Sequence, residues 1–235
     1  GSQGFDHYID QYYLYWQRLA SNTELKKMFS PIWNDVNHIR TRDIFQNVFL
    51  SHDNVLDRPE DFVNHSLYFE AKTFLHGLFV VEDKLSMAHG LENRVPFMDT
   101  DLVDFAMRCP VGLKLNNLSK VVRINENDFE DKQNKFFRKT NDGKQILRDM
   151  MGRYIPDTIT KAPKQGFSSP DASWFKGDSI DFVRKRLLNN RAPIYDLLDY
   201  KATAGLVQQH LDGAQNRRLL IWSLLNVNQL MEGSL

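Results

Sequence analysis

Residues 85–106 read LSMAHGLENRVPFMDTDLVDFA, a run in which small and apolar residues give way to an acid, a base and a proline. A proline cannot continue a helix without losing a backbone hydrogen bond, so the pattern predicts a break. We expect one helix to extend to about Leu91 and a turn to form around Pro96. A second helix should then begin at Asp99 or Thr100, because both side chains are good N-caps.

The composition is that of an ordinary globular protein. Of the 235 residues, 42% are apolar and 26% are charged, and 30 basic residues balance 30 acidic ones. The zero net charge gives no indication of a nucleic-acid or anionic-membrane partner, because both favour a basic excess. No run is apolar for long enough to span a membrane, and no signal peptide is visible. Cys109 is the only cysteine, which excludes an internal disulfide and predicts a cytoplasmic location.

Helical spacing of apolar residues recurs along most of the chain. An aromatic-rich helix is expected at residues 6–20, and Asp57 with Glu60 three residues later signals the start of a long helix. The expected buried stripe of that long helix is Val63, Leu67, Ala71, Leu75 and Leu78. Further helices are expected at residues 143–153, 178–189, 199–211 and 215–231, the last with Leu220, Leu224, Val227 and Met231 facing the core.

Strand signals are rare in this sequence. GLKLN at 112–116 and VVRI at 121–124 could each form a short strand, and no hairpin dipeptide joins them. The segment 125–142 is rich in charged and polar residues and has no clear period, so we expect a mobile excursion. The pattern as a whole predicts a single, mainly α-helical domain, and residues 1–3 are interpreted as a tag remnant.

A lysine-containing loop is the second stretch whose residues could take part in catalysis or binding. Residues 161–170 read KAPKQGFSSP, so two lysines flank Pro163 and a glycine follows at Gly166. The prolines restrict the shape of the loop and the glycine permits close approach of the backbone. A lysine held there is a point charge suited to phosphate oxygens. The alternative is a surface turn with solvated lysines.

Several blocks of the sequence closely resemble the asparagine synthase family. They are LSMAHGLENRVPFMDTDLVDFA at 85–106, GKQILRDMM at 143–151, YIPDTITKAPKQGF at 154–167, and Trp174. Their order and spacing match the C-terminal part of the synthetase domain of glutamine-dependent asparagine synthetases over roughly residues 60–180. A long block and a lysine loop that recur together in order are far more specific than a single short motif.

The resemblance implies a fold that is only partly present here. Residues 4–235 would be the helical C-terminal portion of an α/β adenine-nucleotide alpha-hydrolase-like synthetase domain, with its parallel sheet mostly outside this chain. The family's Ser-Gly-Gly-x-Asp-Ser loop, its second glycine-rich acidic segment and its N-terminal glutaminase cysteine have no counterpart in the sequence. We therefore expect the chain to be a fragment that forms one wall of the active site.

The resemblance also implies a reaction and roles for individual residues. The full-length enzyme would use ATP and Mg²⁺ to adenylate aspartate, and ammonia from glutamine would then displace AMP to give asparagine. Lys164 would stabilise the departing phosphates, and Glu92 would help orient the amine nucleophile. Arg94, Asp99 and Gly166 are further candidates for substrate or phosphate binding. The partners implied are these small molecules and the missing nucleotide-binding and glutaminase portions.

Other interpretations remain open at this point. Arg94 could simply bridge Glu92 or Asp99 and fix the turn at Pro96, with Asp99 as a helix cap. The same scaffold also serves amidotransferases that act on sugars and enzymes that close lactam rings, and a non-catalytic helical interaction module is a further alternative. Lys144 is interpreted as a helix-start residue. No metal site is expected, because the seven histidines and the cysteine show no ligand spacing.

The missing phosphate loop generates a first testable prediction. This chain alone should neither bind ATP at micromolar concentration nor release pyrophosphate from it, because the backbone groups that cradle the phosphates are absent. Isothermal titration of the purified chain with ATP measures this directly. Micromolar binding would contradict the interpretation of the chain as a fragment.

Overall fold

The computed structural model describes residues 2–50, 56–115, 143–162 and 179–233. Helices account for 73% of these residues, and the described ranges contain no strand. An average globular protein is about one third helical, so the predicted mainly α-helical fold is confirmed. None of the described helices is both long and apolar enough to cross a lipid bilayer.

The described part of the chain contains thirteen α-helices. In chain order the described α-helices are α1 (Ser2–Trp16), α2 (Asn22–Met28), α3 (Trp33–Val36), α4 (Thr41–Asn47), α5 (Pro59–Glu70), α6 (His76–Ala88), α7 (Thr100–Arg108), α8 (Val111–Lys114), α9 (Gln145–Met151), α10 (Asp157–Thr160), α11 (Ser179–Leu187), α12 (Tyr200–Leu211) and α13 (Arg218–Gly233). Short 3₁₀ helices lie at Ser30–Ile32, Pro96–Met98 and Pro193–Asp196, and a π-helical segment at Ala71–Leu75 joins α5 to α6. The four C-terminal helices expected from the sequence are thus present as α9, α11, α12 and α13.

The strand expected at 112–116 is wrong for its described part. Val111–Lys114 forms α8, and the amide of Leu115 donates to the carbonyl of Val111 at 2.9 Å. That bond joins residues four apart, as in an α-helix. Pro110 precedes the helix directly, and its fixed φ suits a helix start. The alternating apolar residues therefore belong to a single helical turn.

Within the described ranges the chain forms two compact units. The first contains residues 2–13, 41–50, 56–115 and 143–162, and the second contains residues 14–40 and 179–233. Each unit has its own core and is described by itself. The strand expected at 121–124 and the mobile excursion expected at 125–142 lie outside the described residues.

Aromatic rings form the core of the first unit. Phe45, Phe49 and Phe69 are buried, with the ring centroids of Phe45 and Phe69 4.3 Å apart and Phe49 stacked on Phe69 at 5.5 Å. Tyr8 of α1 packs edge-on against Phe49, and burial raises the pKa of Tyr8 to about 12. Each such ring pair adds about 0.5–1.5 kcal/mol beyond the burial of its area. Aromatic packing therefore joins α1, α4 and α5.

The long helix that starts with α5 is capped differently from the sequence prediction. Its N-cap is Arg58 rather than Asp57, and the first helical position is Pro59, where a proline loses no hydrogen bond. The acidic side chain that binds the N-cap is Asp61 rather than Glu60. Its carboxylate accepts a hydrogen bond from the backbone amide of Arg58 at 2.9 Å. The sequence therefore predicts a capped helix start correctly, but the observed cap lies one residue later than the predicted one.

The face of α5 that packs into the core was also predicted wrongly. Asp61, His65 and Phe69 are its buried residues, whereas the expected stripe of Val63, Leu67, Ala71, Leu75 and Leu78 is half-buried or exposed. The ring of His65 stacks on Phe49, and its Nδ1 lies 2.8 Å from the carbonyl of Asp61. Aromatic packing selects this face, and a count of aliphatic residues cannot detect that choice.

Aliphatic side chains form the core of the second unit. The most deeply buried are Val183, Leu187, Ile194, Val207 and Ile221. They come from α11, α12, α13 and the 3₁₀ helix at Pro193–Asp196. Full burial of such a side chain is worth about 1.5–3 kcal/mol, so this cluster supplies most of the unit's stability.

The last helix, α13, places a polar residue in that core. Leu220 and Leu224 are buried as predicted, but Val227 is exposed and Asn228 is buried instead. The side-chain oxygen of Asn228 accepts from the amide of Ile194 at 3.3 Å. A buried amide is tolerated when it is hydrogen-bonded, so Asn228 joins α13 to the adjacent 3₁₀ helix.

A long-range ion pair closes the second unit. Nη2 of Arg217 lies 2.5 Å from Glu24 Oε1, and the two side chains are only 10% and 26% exposed. Glu24 also accepts from the amide of Ser21 at 2.7 Å as part of a capping box for α2. Burial by itself raises the pKa of Glu24, but the hydrogen bonds from Arg217 and Ser21 outweigh it, so the pKa lies below its ordinary value.

We expect Arg217→Met to lower the free energy of unfolding by about 1–3 kcal/mol at pH 7, because it leaves the partly buried carboxylate of Glu24 without its charged partner. The contribution should be complete above the ordinary carboxyl pKa of 4.5 and lost as pH falls through the lower folded value. Urea unfolding of both proteins at pH 7 and pH 3 measures the difference.

A matched control for this ion pair is Arg184→Met. Arg184 pairs with Asp181 at 3.5 Å on the surface of the same unit, and exposed pairs contribute less than about 1 kcal/mol. Equal losses in the two variants, or a loss for Arg217→Met that persists at pH 3, would exclude a specific role of the Glu24–Arg217 pair.

Candidate functional site

The segment between α6 and α7 begins with a helix-ending turn. The helix ends at Ala88, three residues before the predicted Leu91. Gly90 has φ +68°, which a glycine adopts without strain. The amides of Gly90 and Leu91 donate to the carbonyls of Met87 and Ser86 at 3.0 and 2.9 Å. These two bonds form a Schellman motif, which satisfies the last carbonyls of the helix.

A side chain from this turn ties it back to the helix. The side-chain nitrogen Nδ2 of Asn93 donates to Ser86 Oγ at 2.7 Å and to Glu82 Oε1 at 3.0 Å. Between residues 71 and 108, a range that is described throughout, Ser86 is the one buried residue. The bonds of Asn93 therefore fix the backbone at the two predicted site residues that flank it.

Glu92 and Arg94, two of the predicted site residues, pair with each other. Nη2 of Arg94 lies 2.9 Å from Oε1 of Glu92, and the side chains are 82% and 70% exposed. The interpretation that Arg94 bridges a nearby acid is confirmed, with Glu92 as the partner. Water screens an exposed pair of this kind, so it stabilises the turn little and both side chains are accessible.

Asp99 begins the helix that follows. Its carboxylate accepts from the amide of Leu102 at 3.1 Å, which confirms the predicted N-cap of α7. The 3₁₀ helix Pro96–Met98 leads directly into this cap. Glu92, Arg94 and Asp99 thus lie within one short segment, which is held at both ends by backbone hydrogen bonds.

The far end of α7 is tied to α5 by a single lysine. Nζ of Lys114 donates to the carbonyl of Met107 at 3.0 Å and to Asn64 Oδ1 at 3.3 Å. Burial lowers the pKa of Lys114. Cys109, which is the C-cap of α7, is buried. These contacts join the C-terminal end of α7 to α5.

Large apolar side chains are exposed along the whole of this region. Leu85 is 62% exposed, Leu91 is 60% exposed and Phe97 is 66% exposed. Others of the same kind between residues 74 and 113 are Phe74, Leu78, Val80, Val81, Met87, Val95, Met98, Leu102, Phe105, Met107 and Leu113. A large exposed apolar surface on a protein typically marks an interaction face or a ligand-binding groove.

A second polar region lies on α9 and α10 of the same unit. A cleft of about 450 Å³ is lined there by Arg148, Arg153 and Lys161 and by two acids, Asp149 and Asp157. Nζ of Lys161 lies 2.6 Å from Oδ2 of Asp157. Opposite charges nearly balance in this cleft, so it does not by itself select an anion.

The structure describes one of the three predicted residues near α9 and α10, which is Lys144. Lys144 is the N-cap of α9 and has φ +58°, so it is a helix-start residue as predicted. Lys164 and Gly166, the predicted phosphate-loop residues, lie outside the described residues. Across the described ranges, no three histidine, cysteine or acidic side chains converge to hold a metal ion.

The comparison with known proteins agrees with these motifs. The model of the asparagine synthase family matches residues 3–232 of the chain. The chain belongs to the asparagine synthase family. Membership confirms the resemblance seen in the sequence blocks, and it covers both compact units rather than the central blocks alone.

The curated relatives that the chain matches are much longer than the chain itself. Glutamine-hydrolysing asparagine synthetase 1 of Bacillus subtilis (strain 168) is 24% identical over 215 residues, which are 88% of this chain and 28% of that protein. A putative glutamine-hydrolysing asparagine synthetase of Mycobacterium bovis is 25% identical over 155 residues, or 65% of this chain and 20% of that protein. The amidase chry2 of Gibberella zeae is 26% identical over 169 residues, or 71% and 22%.

The chain therefore corresponds to less than a third of the length of these asparagine synthase family relatives. A search of solved structures found no significant match.

Sequence reasoning missed the side chains that hold the site in shape. Ser86, Asn93 and Arg148 each bond across a turn, and none of them belongs to a periodic pattern. The one usable signal was Asn93, a polar residue that follows a glycine at a helix end and so can bond to nearby backbone or side chains. Its actual partners depend on how the turn closes.

Asp99→Ala should loosen α7 locally, because the loss of an N-cap costs about 1 kcal/mol. Amides of the first turn of α7 should then exchange with solvent about fivefold faster. Asp99→Asn should preserve the cap, and Arg94→Ala should change stability by less than about 0.5 kcal/mol because its ion pair is exposed. Hydrogen–deuterium exchange of the three variants measures the differences, and faster exchange in Arg94→Ala than in Asp99→Ala would contradict the structure.

Proposed function

We propose that residues 4–235 form the helical C-terminal part of the synthetase domain of a cytoplasmic, ATP-dependent ligase that makes amides. Its proposed substrate is aspartate, its proposed product is asparagine, and its nitrogen would come from glutamine. The observation that carries this proposal is the match of the asparagine synthase family model to residues 3–232. The Glu92–Arg94 pair lies accessible between exposed apolar side chains and is the part of the proposed site that the structure describes.

The exposed apolar side chains support the presence of a covering element. Leu91 and Val95 adjoin the ion pair in sequence and are 60% and 47% exposed. A covering element would bury them and lower the local dielectric, which strengthens the interactions of Glu92 and Arg94 with a bound substrate. We assign this cover to the nucleotide-binding part of the same enzyme, because the relatives are more than three times as long as the matched segment.

The proposed reaction has two steps. A carboxylate oxygen of the acceptor acid attacks the α-phosphorus of ATP, so that pyrophosphate leaves and an acyl adenylate forms. The nitrogen of ammonia then attacks the acyl carbon, AMP leaves with the electron pair of the broken C–O bond, and the nitrogen loses a proton. Adenylation is needed because a free carboxylate is a poor electrophile with no good leaving group.

Lys164 is proposed to act in the first step. Negative charge moves onto pyrophosphate as it departs, and a fixed ammonium group stabilises that charge in the transition state. Gly166, two residues later, would let the backbone approach the phosphates. Both assignments rest on the family motif PKQGF, and neither residue belongs to the described part of the chain.

Glu92 is proposed to act in the second step. Its accessible carboxylate can accept a hydrogen bond from ammonia and so hold the nitrogen lone pair toward the acyl carbon. Arg94, 2.9 Å away, would position Glu92 or bind the acceptor's charged groups. Asp99 would act through its cap on α7, which supports the segment from its C-terminal side.

The family reaction also uses Mg²⁺. The described residues do not fit a magnesium site, because no set of three acidic or histidine side chains converges there. We therefore propose that other parts of the full-length enzyme bind the metal.

A second candidate differs in the acceptor. Two relatives are named as amidases, chry2 of Gibberella zeae and chyE of Penicillium rubens, at 26% and 24% identity. We propose as the second candidate a sister activity, in which the same adenylation serves another carboxylate, such as a sugar-linked or lactam-forming substrate. A non-catalytic interaction module is the remaining alternative, and the experiment below separates it from both.

In the full-length enzyme, Lys164→Ala should lower turnover by about a hundredfold or more, a loss of about 3 kcal/mol. The KM for the acceptor acid should change little, because the lysine contacts phosphate rather than that substrate. Pyrophosphate release with aspartate and ATP, measured by a coupled assay, reports the effect.

Lys161→Ala provides the matched control for the Lys164 variant. Lys161 belongs to the same loop but is paired with Asp157 at 2.6 Å, so its removal should leave turnover close to that of the unmodified enzyme. Normal turnover in Lys164→Ala would identify the loop as a surface turn. Equal losses in both variants would indicate general damage to the loop.

A further inference from the structure

Ser86 holds the residues on both sides of Glu92. Its carbonyl accepts a hydrogen bond from the backbone amide of Leu91 at 2.9 Å. Its hydroxyl oxygen accepts another from the side-chain nitrogen Nδ2 of Asn93 at 2.7 Å. Ser86 is buried and belongs to the last turn of α6. The residue before Glu92 and the residue after it are therefore attached to one point of the helix.

The side chain of Asn93 donates two hydrogen bonds from one atom. Its Nδ2 carries two hydrogens, and besides Ser86 it donates to Oε1 of Glu82 at 3.0 Å. An ionised carboxylate only accepts hydrogen bonds, so the nitrogen of the Asn93 amide rather than its oxygen must face Glu82. Aspartate, which has the same shape, carries no hydrogen to donate when it is ionised. The contacts of Asn93 are therefore specific to an amide.

Glu92 and Arg94 extend away from this anchor. Their side chains meet at 2.9 Å and are 70% and 82% exposed, whereas the side chain of Asn93 between them contacts α6. Successive side chains of an extended chain point to opposite sides, and those two residues apart share a side. Holding Asn93 against the helix therefore directs both charged side chains away from it.

We propose that Asn93, through its bonds to Ser86 and Glu82, is a positioning residue that sets the direction of the Glu92 carboxylate. This inference rests on the function proposed above, in which Glu92 orients ammonia in the second step. Asn93 itself would touch neither substrate. Its effect should therefore appear in the attack of ammonia on the acyl adenylate and be absent from the formation of that adenylate.

The full-length enzyme, supplied with aspartate, ATP and ammonium chloride, separates the two steps. The burst of pyrophosphate in the first turnover, followed by rapid quench, reports adenylation, and kcat/KM for ammonia reports amination. Asn93→Asp should lower kcat/KM for ammonia by about ten- to a hundredfold, because small misplacements of a catalytic group have effects of this size. The rate of the burst should change by less than about twofold. A general loss of structure would lower both.

An exchange of donor and acceptor provides the rescue. Glu82→Gln combined with Asn93→Asp places the amide at position 82 and the carboxylate at position 93, so the hydrogen bond between them can form again and the like charges are removed. This pair should recover kcat/KM for ammonia to within about threefold of the unmodified enzyme. Asn64→Ala is the matched control, because Asn64 bonds to Lys114 on the other side of α7, and it should change neither readout.

A combination with Glu92→Ala decides whether Asn93 acts through Glu92. If it does, Asn93→Asp should lower kcat/KM for ammonia by less than about threefold once Glu92 is already alanine, since effects that share one route are not additive. A full repeat of the loss in that background, or an equal loss in the pyrophosphate burst, would overturn the positioning role while leaving the role of Glu92 intact.

The remaining outcomes are equally decisive. An unchanged kcat/KM for ammonia in Asn93→Asp would overturn the positioning role alone. If Asn93→Asp does not fold, Asn93→Ala, which removes both bonds without adding a charge, takes its place in the cycle with the same expected loss. Normal amination in Glu92→Ala would instead contradict the proposed function of Glu92 and remove the basis of this inference.

Discussion

Between residues 71 and 108 the chain buries one side chain, that of Ser86, so hydrophobic packing cannot hold this region in place. Local hydrogen bonds supply the order instead. A Schellman turn at Gly90 ends one helix, the side-chain nitrogen of Asn93 donates to the hydroxyl of Ser86, and Asp99 caps the next helix. Backbone geometry is thus fixed while the apolar side chains point to solvent, which is the condition expected of a preformed surface that a second element covers.

The two compact units show what the rest of the chain does with its apolar residues. In the first, rings of α1, α4 and α5 pack together, centred on Phe49 and Phe69. In the second, aliphatic side chains around Val207 and Ile221 form the core, and the Glu24–Arg217 pair joins distant parts of the sequence. Each core lies on elements other than α6 and α7. The segment that carries Glu92 is therefore attached to a stable unit without being part of its core.

The same principle applies on α9 and α10. Arg148 replaces hydrophobic packing by binding three backbone carbonyls, and it does so immediately before the family's lysine motif. The proposed phosphate site would benefit from this arrangement, because polar anchors can hold the backbone where apolar packing would exclude water and ions. Each of the two proposed catalytic residues, Glu92 and Lys164, is thus close in sequence to a residue that takes part in a side-chain hydrogen bond across a turn.

The sequence by itself determined the family, the helical class and the helix-ending signals. Each of these depends on residues close together in the chain, such as Pro96 in the turn and Asp99 at its cap. Tertiary structure decided which faces are buried. The stripe expected on α5 was wrong because aromatic partners from α1 and α4 selected the face of His65 and Phe69, and the strand expected after Pro110 became a helical turn. The partners of Asn93 and Arg148 were equally hidden from the sequence. Their bonds exist only after turns bring distant carbonyls and hydroxyls within about 3 Å, and no local pattern specifies that closure.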